Sequence, residues 1–349
     1  MRCVRTPRCW MYGTGSCRGT FGAKGDPVAS HHVVVTGAGG YVGGLVAKAY
    51  ARRVGCEHVT CLVRSGQQAR RLLDQGFEVV LGDLTQDGIA SRLIRPRSLV
   101  VHAAARLGRT TWEEASRVNV EGTRKIALAA LGADAARLTL ISSIEAYGRF
   151  GGRDLHEDQP YVPLLDNYGK SKAEAERVVR ECYRQAGSNT FTILRPGAVY
   201  GPTSKYWTQR YLRQAREGSI TVLGRGGRIF PVYDRDLVDA VVRAGDAEAA
   251  AGEAFNIVND ERLTWWDWAY AHHRLAGCGW PRHQPALWAR MESAARRLVG
   301  RPAFDRRLEV ETRTAHIPNT KARVYLGWEP TDFVDAMMDC SRELARKAP

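Results

Sequence analysis

The stretch VVVTGAGGYVGG, residues 33–44, decides how this chain is read. Val33 to Thr36 are four β-branched residues, the composition of a strand. The turn Gly37-Ala38-Gly39-Gly40-Tyr41-Val42-Gly43 follows at once, and from Gly40 to Arg53 the apolar spacing is helical. Gly37 permits a tight turn, Gly40 lets the backbone approach a pyrophosphate, and Gly43 lets the helix pack closely on the strand. Gly39, Tyr41 and Val42 belong to the same cradle. The helix N-terminus adds unpaired N–H groups and the positive end of its dipole.

Working outward, the same rhythm repeats. HVTCLV (58–63), FEVVLGD (77–83), SLVVHAAA (98–105), RLTLISS (137–143) and TFTILRP (190–196) read as strands two to six. Helical patterns intervene, including 112–131 and Asn167 to Ala186. Such alternation predicts an α/β fold, a Rossmann-like doubly wound parallel sheet in the order 3-2-1-4-5-6. The dinucleotide-binding domain is expected over 31–196. Beyond Pro196 loops lengthen and Trp and Pro accumulate. DLVDAVVRA (236–244) and AFNIVN (254–259) are expected to rejoin the sheet, while most of 197–345 forms a small C-terminal substrate lobe.

Composition narrows the function classes. The chain has 349 residues, 44% hydrophobic, ample for a sizeable core. Its net charge of +14 comes from 51 Lys and Arg against 37 Asp and Glu. That balance fits attraction to an anionic ligand or surface, or simply an arginine-rich composition. No dense basic run occurs, which argues against nucleic acid. Eight cysteines at 3, 9, 17, 56, 61, 182, 278 and 340 form no CxxC pair, so no metal site is expected and a reducing cytoplasm is the simplest compartment. No apolar run approaches the ~20 residues of a membrane span. Residues 1–30 are basic and aperiodic, the pattern of a disordered tail or a transit-like segment.

Proton chemistry is carried by NYGKSK (167–172). Tyr168 and Lys172, at positions i and i+4, share a helix face. An ammonium beside a phenol is expected to depress the phenol pKa below ~10 and make Tyr168 a general acid or base. Ser143, ending the fifth strand, can hydrogen-bond the same substrate oxygen. The second strand ends in Arg64 rather than an acid, which favours the 2′-phosphate of NADP over the ribose hydroxyl of NAD, with NAD still open. Asp83, in Gly82-Asp83-Leu84, can accept an adenine amino group or serve as a turn aspartate. Ala103, Ala104 and Ala105 leave room for a cofactor, and His102 reads as structural.

These motifs, in this order, resemble the extended short-chain dehydrogenase/reductase family, also called NAD-dependent epimerase/dehydratases, over about residues 32–345. TGAGGYVG (36–43), GDL (82–84), NVEGT (119–123), SSIEAYG (142–148), YGKSK (168–172), LRPGAVYGP (194–202), VYDRDLVDA (232–240) and KARVYLGWEP (321–330) each match a family pattern. The resemblance implies Tyr168 as general acid/base, Ser143 as substrate anchor, and Lys172 as activator and nicotinamide-ribose ligand. It implies Asn119 as support for a relay water, and Pro196, Gly197 and Val199 as borders of the nicotinamide. It also implies a homodimer through the helices of Asn119–Leu131 and Asn167–Ala186, whose apolar Ile126, Val178 and Val179 face either a partner or the sheet.

Within the family, Ile144 stands where 4,6-dehydratases carry an acid. Arg228 is out of step with the sugar-nucleotide epimerases, which weakens that reading although Arg228 and Arg313 can still serve a phosphate. SSIE resembles 3β-hydroxysteroid dehydrogenase-like and dihydroflavonol reductase-like members. The expectation is an NAD(P)-dependent oxidoreductase interconverting a secondary alcohol and a ketone on a small-molecule substrate, with Glu145 and Arg228 as candidate substrate contacts. The alternatives are a sugar-nucleotide epimerase and a non-catalytic dinucleotide-binding protein. Trp207, Trp265, Trp266 and Trp268 either line an apolar pocket or simply pack.

Overall fold

The computed structural model describes residues 31–108, 110–148, 154–159, 166–224, 226–301 and 305–346. The expected N-terminal tail, residues 1–30, lies outside them. The strands are β1 (Val33–Thr36), β2 (Val59–Val63), β3 (Glu78–Leu81), β4 (Leu99–His102), β5 (Arg137–Ile141), β6 (Phe191–Pro196), β7 (Ala198–Tyr200), β8 (Thr221–Leu223), β9 (Pro231–Tyr233), β10 (Ala254–Ile257) and β11 (Arg282–Gln284). The helices are α1 (Tyr41–Val54), α2 (Gly66–Leu73), α3 (Ile89–Leu93), α4 (Trp112–Ala115), α5 (Gly122–Gly132), α6 (Asn167–Gln185), α7 (Arg210–Arg216), α8 (Asp234–Asp246), α9 (Trp265–Leu275), α10 (Ala286–Leu298), α11 (Asp305–Thr312), α12 (Thr320–Leu326) and α13 (Phe333–Arg346).

Seven strands form one parallel sheet in the order β3-β2-β1-β4-β5-β6-β10. The six expected strands keep their order, and β10 extends the sheet beyond β6 with Ala254 opposite Ile193. Side chains on a strand alternate between faces, and β1 shows the result. Val33 and Val35 belong to one buried cluster with Tyr50 of α1, Val241 of α8 and Trp328. Val34 belongs to the other, with Ile126 of α5 and Val178 and Val179 of α6. These last three, open between sheet and partner in sequence, therefore pack inside the chain. Alternate burial on two helical layers makes the sheet doubly wound.

The chain after β6 builds two small parallel sheets, β7·β9 and β8·β11. Around them lies an aromatic cluster. Trp268 is fully buried and meets Tyr200 edge-on at 5.3 Å; Trp265 is buried, and Trp207 and Trp266 are partly so. Trp265 and Trp268 thus serve packing rather than an open pocket. β10 pairs with β6, and α8 packs in the buried cluster that holds Val33 and Val35.

Two close approaches set the site. Gly37 adopts φ +70° in the left-handed region, and a Cβ there would come within 2.7 Å of the Ala104 backbone. At the other end, a Cβ on Gly169 would meet the Glu145 carbonyl at 2.6 Å. The start of α6, capped by Asp166 accepting from the Gly169 N–H at 2.8 Å, therefore lies directly against the turn that follows β5.

Candidate active site

The ends of β1 to β6 lie along one edge of the parallel sheet and carry the candidate residues. The turn after β1 closes with the Gly40 N–H donating to the Gly37 carbonyl at 2.9 Å. Gly43 sits so close to that carbonyl (2.3 Å from a built Cβ) that a side chain cannot fit. Gly39 and Gly40 are exposed, and the first turn of α1 carries no acid. This cradle fits the pyrophosphate of a dinucleotide, because it offers N–H groups and a dipole end on a helix whose own first turn carries no acid. Tyr41 departs from expectation in its side chain. Its hydroxyl donates to Asp234 at 2.7 Å and ties the starts of α1 and α8 together, leaving only its backbone at the cradle. Val42 packs on the core.

At the ends of β2 and β3, Arg64 lies 3.9 Å from the Asp83 carboxylate, with about two thirds of its side chain exposed. Burial opposes ionisation of Asp83, but the Thr85 backbone N–H at 2.8 Å, the Thr85 hydroxyl and Arg64 outweigh it and hold the carboxyl below its usual range. Asp83 is thus a turn aspartate in this structure, one oxygen already taken. Leu84 is buried beneath it, against α5. Ala103, Ala104 and Ala105 leave β4 half-buried beside Gly37, and Pro196, Gly197 and Val199 leave β6 at the far side of the cleft.

Tyr168 and Ser143 come together. Ser143 is buried, extended at φ −165°, and its hydroxyl accepts from the Glu145 N–H at 3.1 Å, with the Tyr168 side chain beside it. Lys172 is buried four residues on, but it does not depress the phenol. Its Nζ donates to the Ile141 carbonyl at 2.7 Å, at the end of β5. Partial burial, joined by the Glu145 and Asp166 carboxylates, pushes Tyr168 well above its ordinary pKa against the opposing effect of the neighbouring Ser143 hydroxyl. The expectation of a lowered phenol pKa is therefore corrected: a shared helix face does not fix where a long amine terminates. Burial pulls Lys172 itself down to about 8, with Glu176 acting the other way.

Asn119 is also more committed than its motif suggests. It sits buried in a π-helical segment, Ser116–Glu121, its side chain bonded to the Arg106 backbone (2.6 and 3.1 Å) and to the Ser171 hydroxyl (2.8 Å). Its own carbonyl accepts from Thr123 at 2.6 Å. The amide therefore braces α5 against α6 and the loop after β4, one residue away from Lys172.

Of the two candidate substrate contacts, only Glu145 borders Tyr168. Arg313 approaches it to 3.9 Å and lies 5.3 Å from the Phe230 ring. Arg228 turns away: it bonds the Arg262 carbonyl and lines a cavity of about 140 Å³ with Asp154, Asp260 and His316, a lining that excludes Ser143 and Tyr168. Sequence reasoning missed the support behind the pair. Glu176, one turn beyond Lys172, is fully buried, ion-paired with buried Arg195 at 2.7 Å and bonded to the Ser142 hydroxyl. The stripe 168-172-176 on α6 was its only sequence signal.

Residues 33–258 match the model of the NAD dependent epimerase/dehydratase family. A ceramide reductase of Caulobacter vibrioides is 31% identical over 210 residues, covering 60% of this chain and 59% of the reductase. A decarboxylating sterol-4-alpha-carboxylate 3-dehydrogenase of Schizosaccharomyces pombe is 28% identical, covering 69% and 75%. This chain thus spans about three fifths of the reductase's length. An Agrobacterium tumefaciens short-chain dehydrogenase/reductase superfamily structure with bound NAD is 24% identical, covers 91% of this chain and 98% of its own, and superposes with a TM-score of 0.67. The match over most of the chain makes this protein a member of the NAD-dependent epimerase/dehydratase family, the extended short-chain dehydrogenases/reductases.

Proposed function

We propose that this protein is an NADP(H)-dependent reductase that converts a ketone on an apolar scaffold to a secondary alcohol, and runs in reverse as a dehydrogenase. The observation that carries the reading is the proximity of the Ser143 and Tyr168 side chains, with buried Lys172 one helical turn on from Tyr168. The glycine cradle and the start of α1 would hold the pyrophosphate, Arg64 the 2′-phosphate, and Lys172 the nicotinamide ribose. A bound nicotinamide supplies the hydride.

The chain's own residues then do three things. Ser143 donates to the substrate oxygen and orients it. Tyr168, kept protonated by its half-buried and acid-flanked position, gives its proton to that oxygen as negative charge develops there. Lys172, charged below its pKa of about 8 and fixed by the Ile141 carbonyl, would present its ammonium to the hydroxyls of the nicotinamide ribose. The ceramide reductase and sterol dehydrogenase names of two relatives support a lipid-like scaffold. We further propose homodimerisation by faces other than Ile126, Val178 and Val179.

The test is turnover of NADPH with a panel of apolar ketones, followed by loss of cofactor absorbance. Net consumption, with NADPH preferred to NADH, is expected. Conversion of a sugar nucleotide with no net change in cofactor would establish the epimerase alternative instead, and tight binding without turnover would leave a dinucleotide-binding protein.

A further inference from the structure

Helix α10 is the most exposed apolar element among the described residues. Its inner face is short: Ala289 and Ser293 are buried, Ala289 packing with Leu223 and Leu308. Leu287, Met291, Ala294 and Leu298 recur at the three- and four-residue spacing of one stripe, with Trp288 and Ala295 beside them, and all six are exposed. Trp288 is 64% and Leu298 88% exposed, and Val299 just past the helix 69%. Single exposed apolar residues are ordinary; a stripe of them containing a tryptophan marks a surface that is covered in use.

The rim of the stripe says what covers it. Arg290 and Arg297 flank it on one side, and exposed Arg301 follows the helix. The one carboxylate on the other flank, Glu292, is engaged by Arg296 at 2.9 Å and Gln284 at 2.9 Å. A second copy docked on this face would bring two sets of arginines together on chains that each carry +14. An anionic bilayer meets both features at once, taking apolar side chains and tryptophan into the interface and arginines against its headgroup phosphates. We propose that α10 is a docking surface for an anionic lipid membrane. Among the described residues no helix is long and apolar enough to cross a membrane, so the association is peripheral. This role is independent of the reductase reading.

The test is co-sedimentation of the full chain with phosphatidylcholine vesicles, with and without phosphatidylglycerol. The expected result is binding to the anionic vesicles that weakens with salt. Trp288→Glu with Met291→Glu should lower the partition at least about tenfold, and Arg290→Glu with Arg301→Glu by roughly fivefold per arginine. Leu128→Glu, an exposed apolar residue on α5, should have no effect. All these positions are exposed, so circular dichroism should show the fold unchanged. Absence of binding to anionic vesicles, or equal binding by the Trp288/Met291 variant, overturns the proposal. So does a concentration-dependent dimer in sedimentation velocity that the same variant abolishes, because the occupant is then a second copy.

Discussion

His102 should make the protein acid-sensitive by an amount that its surroundings set. The side chain is 1% exposed at the end of β4, with Nδ1 2.7 Å from the Thr36 hydroxyl and Nε2 2.9 Å from the Thr123 hydroxyl. Thr123 donates its own proton to the Asn119 carbonyl at 2.6 Å, so it accepts from His102 Nε2–H. With the ring proton on Nε2, Nδ1 of the neutral imidazole can only accept, so the Thr36 hydroxyl, which itself accepts from the Ala104 N–H at 3.2 Å, donates to it. One directed chain therefore runs from Ala104 to Asn119, through the floor of the glycine turn, and it requires a neutral imidazole. A second proton on Nδ1 removes the acceptor that Thr36 needs.

Burial, with the Lys172 charge nearby, lowers the His102 pKa from 6.5 to about 3. The folded state therefore resists a proton that the unfolded state accepts below pH 6.5, and stability is lost as pH falls from there toward 3. Linkage gives about 2 kcal/mol lost between pH 7 and pH 5 from this residue alone. Carboxylates titrate in the same range, so the measurement is a difference. Urea unfolding of the native chain and of His102→Asn, each at pH 7 and 5, should show the native chain losing about 2 kcal/mol more than the variant. Asparagine still donates and accepts but does not titrate. Equal losses, or an imidazole titrating near 6.5 by NMR, would refute the directed chain.

Tyr168→Phe should cut kcat by roughly 10²- to 10⁴-fold with NADPH affinity nearly unchanged, read by steady-state kinetics and titration of binding; full activity removes Tyr168 from the chemistry. Because burial sets Lys172 near 8, kcat/KM for NADPH should fall about tenfold per pH unit above that point, and Lys172→Met should be slow at every pH with no such break. Arg64→Ala should weaken NADPH binding roughly tenfold or more and leave NADH binding alone, whereas equal losses for both would detach Arg64 from the 2′-phosphate. Glu176→Gln strands a buried Arg195 and should cost about 3–5 kcal/mol in urea unfolding, with partial recovery on adding Arg195→Met.

What the sequence disclosed and what it hid follow from range. The glycine turn was legible because its constraint is local: a left-handed residue, a close packing step and a helix start lie within seven positions, and the strand-helix rhythm then orders the sheet. Tyr168 against Ser143 was legible for a related reason, since both sit at ends of elements the sheet order makes neighbours. The errors begin where a long side chain chooses among partners. Spacing placed Lys172 on the Tyr168 face, but its four-carbon stem reaches the Ile141 carbonyl, a choice made by a strand thirty-one residues earlier. Arg228 likewise takes the Arg262 carbonyl and leaves Glu145 to Arg313, a pairing across 168 residues. The phenol pKa was misjudged because spacing counts one nearby charge, whereas burial and two carboxylates act together at Tyr168. That correction sharpens the functional reading. With the phenol pKa raised and Lys172 tied to the Ile141 carbonyl, the charges that make Tyr168 a proton donor have to come from what binds beside it rather than from spacing along α6.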